Sequence, residues 1–349
     1  MRFGLGPFGL EAYAGKDLRT AYADMLRLID VAEDRGFDSA WIAERHFAED
    51  GYCPAPAVAA AAIAARTTAM RIGILGILGL VHPLYVAEDT AVVDNASNGR
   101  VVFAPMNATP IEMAGYGIPT DEYDERFAES VEVLVKAWAA NPFRHEGRFW
   151  QLPANMPEHG EATAAKRLTS SPKPAQLELP MWLAGFHELG IEMAGRLHVP
   201  LVAGAISTFE ELASVFGTYD GESPAGVRPL VRALIRDVWV AETTEQAEQE
   251  CADALLYQYQ RYARWGLFDG DASEYQALAR NRFLVGDPET VIERISAFER
   301  DLGVDYLICR MQFPGLAVEH VEQSLIRFSQ EVIPEFRMAD LPTQIRKGV

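Results

Sequence analysis

The feature that most limits what this chain can fold into is an alternation. Eight short apolar runs occur along it, nearly all followed by an amphipathic segment. They are "RFGLG" from Arg2, "FDSAWIAE" from Phe37, "RIGILGILGL" from Arg71, "RVVFAP" from Arg100, "PMWLAG" from Pro180, "VPLVAG" from Val199, "LVRALIRDVWVA" from Leu230 and "VDYLICRMQF" from Val304. Strands that are apolar throughout are buried on both faces, as parallel strands are when helices cover the sheet. Eight such units predict an α/β fold, a (β/α)8 TIM barrel, with an open doubly wound sheet as the competitor. At 349 residues, 49% of them apolar, the chain is long enough to form one such domain over 1–349. Asn141–Leu179 and Tyr219–Arg228 are rich in Pro and Gly and read as loop insertions at the C-terminal face.

The intervening segments carry helix signals. Leu18, Tyr22, Met25, Ile29 and Ala32 step by four and three onto one face, with Asp17 as the expected cap and Gly36 as the stop. An Ala-rich helix is expected after Pro54, and "PLYVAEDTAVVDNAS" reads as a helix closed by Asn98-Gly99.

The formal charge is −19, so phosphate backbones and anionic lipid would be repelled, and neither nucleic acid nor a membrane is an expected partner. Cys53, Cys251 and Cys309 are far apart and form no CxxC pair, which argues against a disulfide frame or a structural metal. The start of the chain lacks an apolar signal core, and Ala55–Ala65 is too short to span a bilayer. A cytoplasmic location is therefore expected.

In a barrel of this kind, functional groups gather where strands end. "WIAERHFAEDG" from Trp41 is a buried strand that runs out into Glu44, Arg45 and His46. If the pleat persists, Ile42, Glu44 and His46 face one way and Arg45 the other. Inward-facing Glu44 and His46 would pair a carboxylate with an imidazole at the barrel mouth, suited to moving protons. Local ion pairs in a surface turn are the equally supported alternative. Gly4, Gly6 and Gly9 spell GxGxxG, but no helix opens at the third glycine, so a dinucleotide site is not expected. Gly73, Gly76 and Gly79 recur every third residue, which suits either a flat ligand against Leu75–Gly76 or a kinked strand.

Taken together, "GFDSAWIAERHF", "HPLYVAEDTAVVDNASNGRVVF", "GYGIPTDEYDERFAESVEVLVKAW", "EGRFWQLP", "PMWLAG", "VGDPETVIERI" and "GVDYLICRMQFPG" resemble the bacterial luciferase-like flavin-dependent monooxygenases over nearly the whole chain. The resemblance implies a TIM barrel that takes reduced FMN from a separate reductase. Through a C4a-peroxyflavin formed with O2, it would oxygenate a small or medium organic substrate. It implies Glu44, Arg45 and His46 at the reacting end, and Ile74, Leu75 and Gly76 against the flavin ring, with a cis peptide at Leu75–Gly76. Asn107, Gly185, Phe186 and His187 would lie at the phosphate, and a homodimer could use the Ala57–Ala65 helix and the next one, with Val86, Val92 and Val93. The chain departs from the family pattern where Arg45 replaces the first histidine of a pair, and where Asn107 and "FHE" replace an arginine and small hydroxyl residues. Those departures keep open a non-catalytic barrel that has lost FMN. The family's deazaflavin branches imply a second alternative, a deazaflavin-dependent oxidoreductase, although the chain shows no obvious basic cluster for that coenzyme's longer anionic tail.

Overall fold

The computed structural model describes residues 1–9, 17–154, 167–224, 230–279 and 281–339. Each of the eight apolar runs contains a strand: β1 Arg2–Phe8, β2 Ser39–Ala43, β3 Arg71–Ile77, β4 Val101–Met106, β5 Leu183–Gly185, β6 Leu201–Ala203, β7 Arg232–Val240 and β8 Tyr306–Arg310. They pair in parallel in the order β4-β3-β2-β1-β8-β7-β6-β5. The ring closes where β4 meets the entry to β5. There the Phe103 amide donates to the Pro180 carbonyl at 3.0 Å, and the Trp182 amide to the Phe103 carbonyl at 2.9 Å. The competing open sheet is thereby excluded, since a closed ring has no free edge. One short strand that the sequence reading omits, Leu284–Gly286, extends the outer end of β7.

The helix signals act largely as expected. Leu18–Asp34 is capped by the Asp17 carboxylate, which accepts from the Arg19 amide. Its buried stripe is Ala21, Met25, Leu28, Ile29 and Ala32. Leu18 and Tyr22 are exposed, so the stripe is rotated at its first turn from the face expected. Asn98 and Gly99 both take positive φ and end the helix Pro83–Ala96. Residues 219–222 are the last turn of helix Phe209–Glu222 rather than part of an irregular insertion. Parts of both expected insertions, 155–166 and 225–229, lie outside the described residues.

The barrel is plugged at its base by aromatic rings. Trp41 of β2 packs against Trp182 at 5.3 Å between centroids, and Trp182 against Tyr306 of β8 at 5.1 Å. Those strands stand on different sides of the ring, so Trp41 points inward. The Trp41 indole N–H and the Tyr306 hydroxyl both donate to Ser39 Oγ, at 2.8 and 2.6 Å, so the buried polar groups are satisfied.

Two details correct the sequence reading of β3. A Cβ at Gly73 would lie 2.0 Å from the Trp41 ring, and one at Gly76 would lie 2.8 Å from the Phe103 ring. The glycines at 73 and 76 therefore make room for neighbouring aromatic rings, a packing reason that neither the flat-ligand nor the kinked-strand expectation names. The cis peptides among the described residues are Gly6–Pro7, Leu152–Pro153 and Ser171–Pro172, and Leu75–Gly76 is not one of them. Leu75 and Gly76 lie in unbroken register with Ala104 and Pro105 of β4, which the extended trans backbone of a regular ladder supplies.

Candidate active site

Alternation along β2 fixes which groups reach the barrel mouth. With Trp41 inward, Ala43 and Arg45 follow it, and both line a cavity of about 340 Å³ at the carboxyl ends of the strands. This reverses the expectation that Glu44 and His46 face inward. Glu44 still borders the cavity from the strand end, whereas His46 does not line it. One residue of alternation changes the face of every side chain that follows.

The three residues nonetheless form one connected cluster. His46 Nε2 lies 2.7 Å from Glu44 Oε1, and the other oxygen of Glu44 accepts the Ile77 amide at 2.7 Å. The Tyr116 hydroxyl lies 3.2 Å from His46 Nδ1. An ionised Glu44 calls for the proton on Nε2, which leaves Nδ1 to accept from Tyr116. Burial beside Glu44 and Glu112 raises the Tyr116 phenol above its ordinary range, so it stays protonated near neutral pH. Glu112, fully buried, accepts the His46 amide at 2.9 Å and the Thr109 amide and hydroxyl at 2.7 Å each. Arg45 lies 3.5 Å from the same carboxylate, so its charge is answered from behind the cavity wall.

The rest of the wall is mostly apolar: Pro7, Leu75, Met106, Ile191, Ile206, Ile235 and Leu267 contribute to it. Gly185, Phe186 and His187 line it, as does Glu188 in the first turn of helix Glu188–Leu197. Ile74 is buried but, like Gly76, alternates away from the cavity, whereas Leu75 borders it. Asn107 stands just past the end of β4. Both atoms of its amide are buried without a hydrogen-bond partner, and its oxygen lies close to Gly190 of the neighbouring helix. A buried amide left unpaired costs about 1–3 kcal/mol, so a polar ligand atom or water there would be favoured.

Several groups at the mouth escaped the sequence reading. Arg310, at the end of β8, lines the cavity and grips Asp237 with Nε at 2.5 Å and Nη2 at 2.8 Å. Burial opposes its charge, but Asp237 and Tyr262 outweigh that and hold the guanidinium protonated. Tyr262 and Tyr52 line the same cavity. The available signal was an arginine inside each apolar run, "LICR" and "LIRD", where an unpaired charge is costly.

A closed (β/α)8 ring whose carboxyl end holds an apolar cavity edged by a carboxylate and two arginines, with an imidazole bonded to that carboxylate, is the architecture of a barrel enzyme. A family model described as luciferase-like monooxygenase matches residues 4–306, and the chain belongs to that family. The oxygenase component of a flavin-dependent trigonelline monooxygenase from Acinetobacter baylyi is 24% identical over 342 residues, 90% of each chain. The crystal structure of monooxygenase RslO1 from Streptomyces bottropensis matches with a TM-score of 0.83 and 26% identity, over 96% of this chain and 100% of that one. The oxygenating constituent of 3,6-diketocamphane monooxygenase from Pseudomonas putida, a type II Baeyer–Villiger enzyme in complex with FMN, matches with a TM-score of 0.80 and 24% identity. That match covers 96% of this chain and 98% of the other.

Proposed function

We propose that this protein is the oxygenase component of a two-component flavin-dependent monooxygenase that takes reduced FMN from a separate reductase and inserts oxygen into a small or medium organic substrate. The observation that carries the reading is the cavity itself: apolar walls at the carboxyl ends of the strands, with Glu44, Arg45 and Arg310 as polar points. The names of the two relatives that cite a flavin or FMN support it.

The residues fit such a cofactor. Leu75 and Met106 offer an apolar surface to a flat ring, whereas Asn107, beside helix Glu188–Leu197, has an unpaired amide but does not line the cavity. Gly185, Phe186 and His187 would flank the side-chain end of the cofactor. Reduced FMN, when bound, supplies the electrons that activate O2. The chain's own part is to exclude water with the apolar wall, to hold or move a proton at Glu44 Oε1 and His46 Nε2, and to answer developing negative charge with Arg45.

Glu188 on the cavity wall, with no cation beside Asn107 among the described contacts, favours a second reading in which FMN binding has been lost. Anaerobic titration with reduced FMN, followed by mixing with O2 in a stopped-flow spectrometer, separates the two. Saturable binding and a transient oxygenated-flavin absorbance are expected. No binding of reduced or oxidised FMN at millimolar concentration would overturn the flavin reading, and a parallel titration with a deazaflavin tests that alternative.

The same proposal includes one domain across the chain, a cytoplasmic site of action and a homodimer. Val58, Tyr85 and Val92, on helices Pro56–Arg66 and Pro83–Ala96, are 72%, 63% and 53% exposed. Val93 is buried toward the core, so the proposed face runs through Val92 and not through its neighbour. No helix among the described residues is long and apolar enough to cross a membrane.

A further inference from the structure

The loop after β6, Gly204–Ser207, lines the cavity, and all four of its carbonyls are turned away into the protein. Arg236 Nη1 donates to the Gly204 carbonyl at 3.0 Å and to that of Ala205 at 3.1 Å, and Nη2 donates to that of Ser207 at 2.9 Å. Arg282 Nε donates to the Ile206 carbonyl at 2.8 Å, and the Tyr259 hydroxyl to that of Ala205 at 3.2 Å. In a planar trans peptide, each carbonyl points opposite to the N–H that follows it. Carbonyls of Gly204 and Ala205 drawn toward Arg236 therefore send the N–H groups of Ala205 and Ile206 the other way, toward the cavity that both residues line. The N–H of Thr208 is already taken by the Glu211 carboxylate at 2.7 Å. The Ser207 N–H closes a turn onto the Gly204 carbonyl, and those of Ala205 and Ile206 have no acceptor among the described residues.

Arg236 adds an independent reason to expect a ligand. It is fully buried, stacks over Phe298 at 5.0 Å, and forms no ion pair among the described residues. Its Nε has no partner at all. Burial lowers its pKa to about 10, so it remains charged at neutral pH. The neighbouring carboxylate, Asp237, favours the charge on Arg236 but is hydrogen-bonded to Arg310 and Tyr259. Arg236 itself thus bonds only carbonyls and polarises the peptides between itself and the cavity, whose N–H ends then attract an anion.

We propose that Gly204–Ser207, backed by Arg236, is an oxyanion-binding site that takes a phosphate or carboxylate group presented inside the cavity. Two sources share that chemistry: the phosphate of a flavin mononucleotide and a carboxylate on the organic substrate. The loop adjoins Phe186, whose ring would lie 3.1 Å from a Cβ at Gly204, so it stands next to the Gly185–Glu188 part of the cavity wall. The site needs an anion and not a flavin, so it stands or falls apart from the monooxygenase reading.

The test uses the full chain with inorganic phosphate and acetate as probes, followed through the backbone amide resonances. Saturable downfield shifts of the Ala205 and Ile206 amides are expected, with affinity reduced about tenfold or more in Arg236→Met. Comparing FMN with riboflavin in both proteins assigns the source. A loss for FMN but not riboflavin identifies the flavin phosphate. A loss for acetate with FMN unchanged identifies a substrate carboxylate. No saturable shift at these amides with either probe or FMN, or equal affinity in wild type and Arg236→Met, overturns the proposal. If Arg236→Met does not fold, the wild-type amide shifts decide alone. Phosphate binding at the loop without FMN binding would keep the site and reject the FMN reading.

Discussion

A methyl group added at Gly73 would lie 2.0 Å from the Trp41 ring, a buried side chain hemmed in by Trp182 and held by Ser39. The ring has no free direction in which to yield, so Gly73→Ala is expected to cost about 1–3 kcal/mol in chemical denaturation. Gly217 makes the opposite case: it sits inside helix Phe209–Glu222, and a Cβ there meets nothing within 4 Å. Gly217→Ala is expected to stabilise by about 0.5–1 kcal/mol, since alanine loses less backbone entropy in a helix. Measured together, the pair separates packing from conformational freedom. Chemistry at this scale turns on His46, which touches Glu44 and Tyr116 but stands behind the cavity wall. His46→Ala is expected to lower turnover about a hundredfold with unchanged circular dichroism, and unchanged turnover at saturating FMN and substrate would remove it from the mechanism. The sequence displayed Glu44, Arg45 and His46 as a group but not which of them faces inward. That depends on where the pleat is anchored, and the anchor is Trp41 against Gly73, a contact between strands.

At the level of elements, the hairpin at His145–Leu152 hangs from one carboxylate on the neighbouring helix, Tyr123–Trp138. Glu129 accepts the Phe149 and Trp150 amides at 3.0 and 2.8 Å and His145 Nε2 at 3.0 Å. Burial alone would raise its pKa, but these donors outweigh that and hold it below the ordinary carboxylate range. A carboxyl whose folded pKa is depressed contributes stability above its unfolded pKa and loses it as pH falls through the folded one. Protection of the Phe149 and Trp150 amides from hydrogen exchange should therefore persist at neutral pH and fade in acid. Glu129→Gln should weaken that protection at neutral pH and flatten its acid dependence. A wild-type profile with no acid limb would count against this anchor. Strands and helices were legible in the sequence because their apolar periodicities are local. This hairpin was not, because its donors and its acceptor are about 20 residues apart in a segment with no periodic pattern. The loop Gly204–Ser207 was hidden for the same reason: Arg236, which orients it, lies on the next strand.

Across the whole molecule, the charge of −19 opposes the apolar face carried by Val58, Tyr85 and Val92. Two copies joined through that face would bury apolar side chains, a gain that changes little with salt below the molar range, while bringing two strongly negative surfaces together. The repulsion is long-ranged and is screened within about 10 Å at 0.1 M ionic strength, against about 30 Å at 0.01 M. The proposed dimer should therefore dissociate more readily as salt is lowered, the reverse of an interface held by ion pairs across it. Sedimentation equilibrium over that range of ionic strength measures the effect directly. Val92→Glu would set a carboxylate in the apolar face and should give a monomer at every salt concentration, with the barrel's thermal unfolding little changed because Val92 is half-exposed in the single chain. A monomer in wild type at high salt would dismiss the dimer, and a dimer that survives Val92→Glu would move the interface to another surface. If the face is correct, one of the pairing helices, Pro56–Arg66, lies next to β2 and β3, the strands that deliver Arg45 and Leu75 to the cavity. Monomerisation should then loosen the cavity wall, and a weaker hold on FMN in Val92→Glu would be the sign of it.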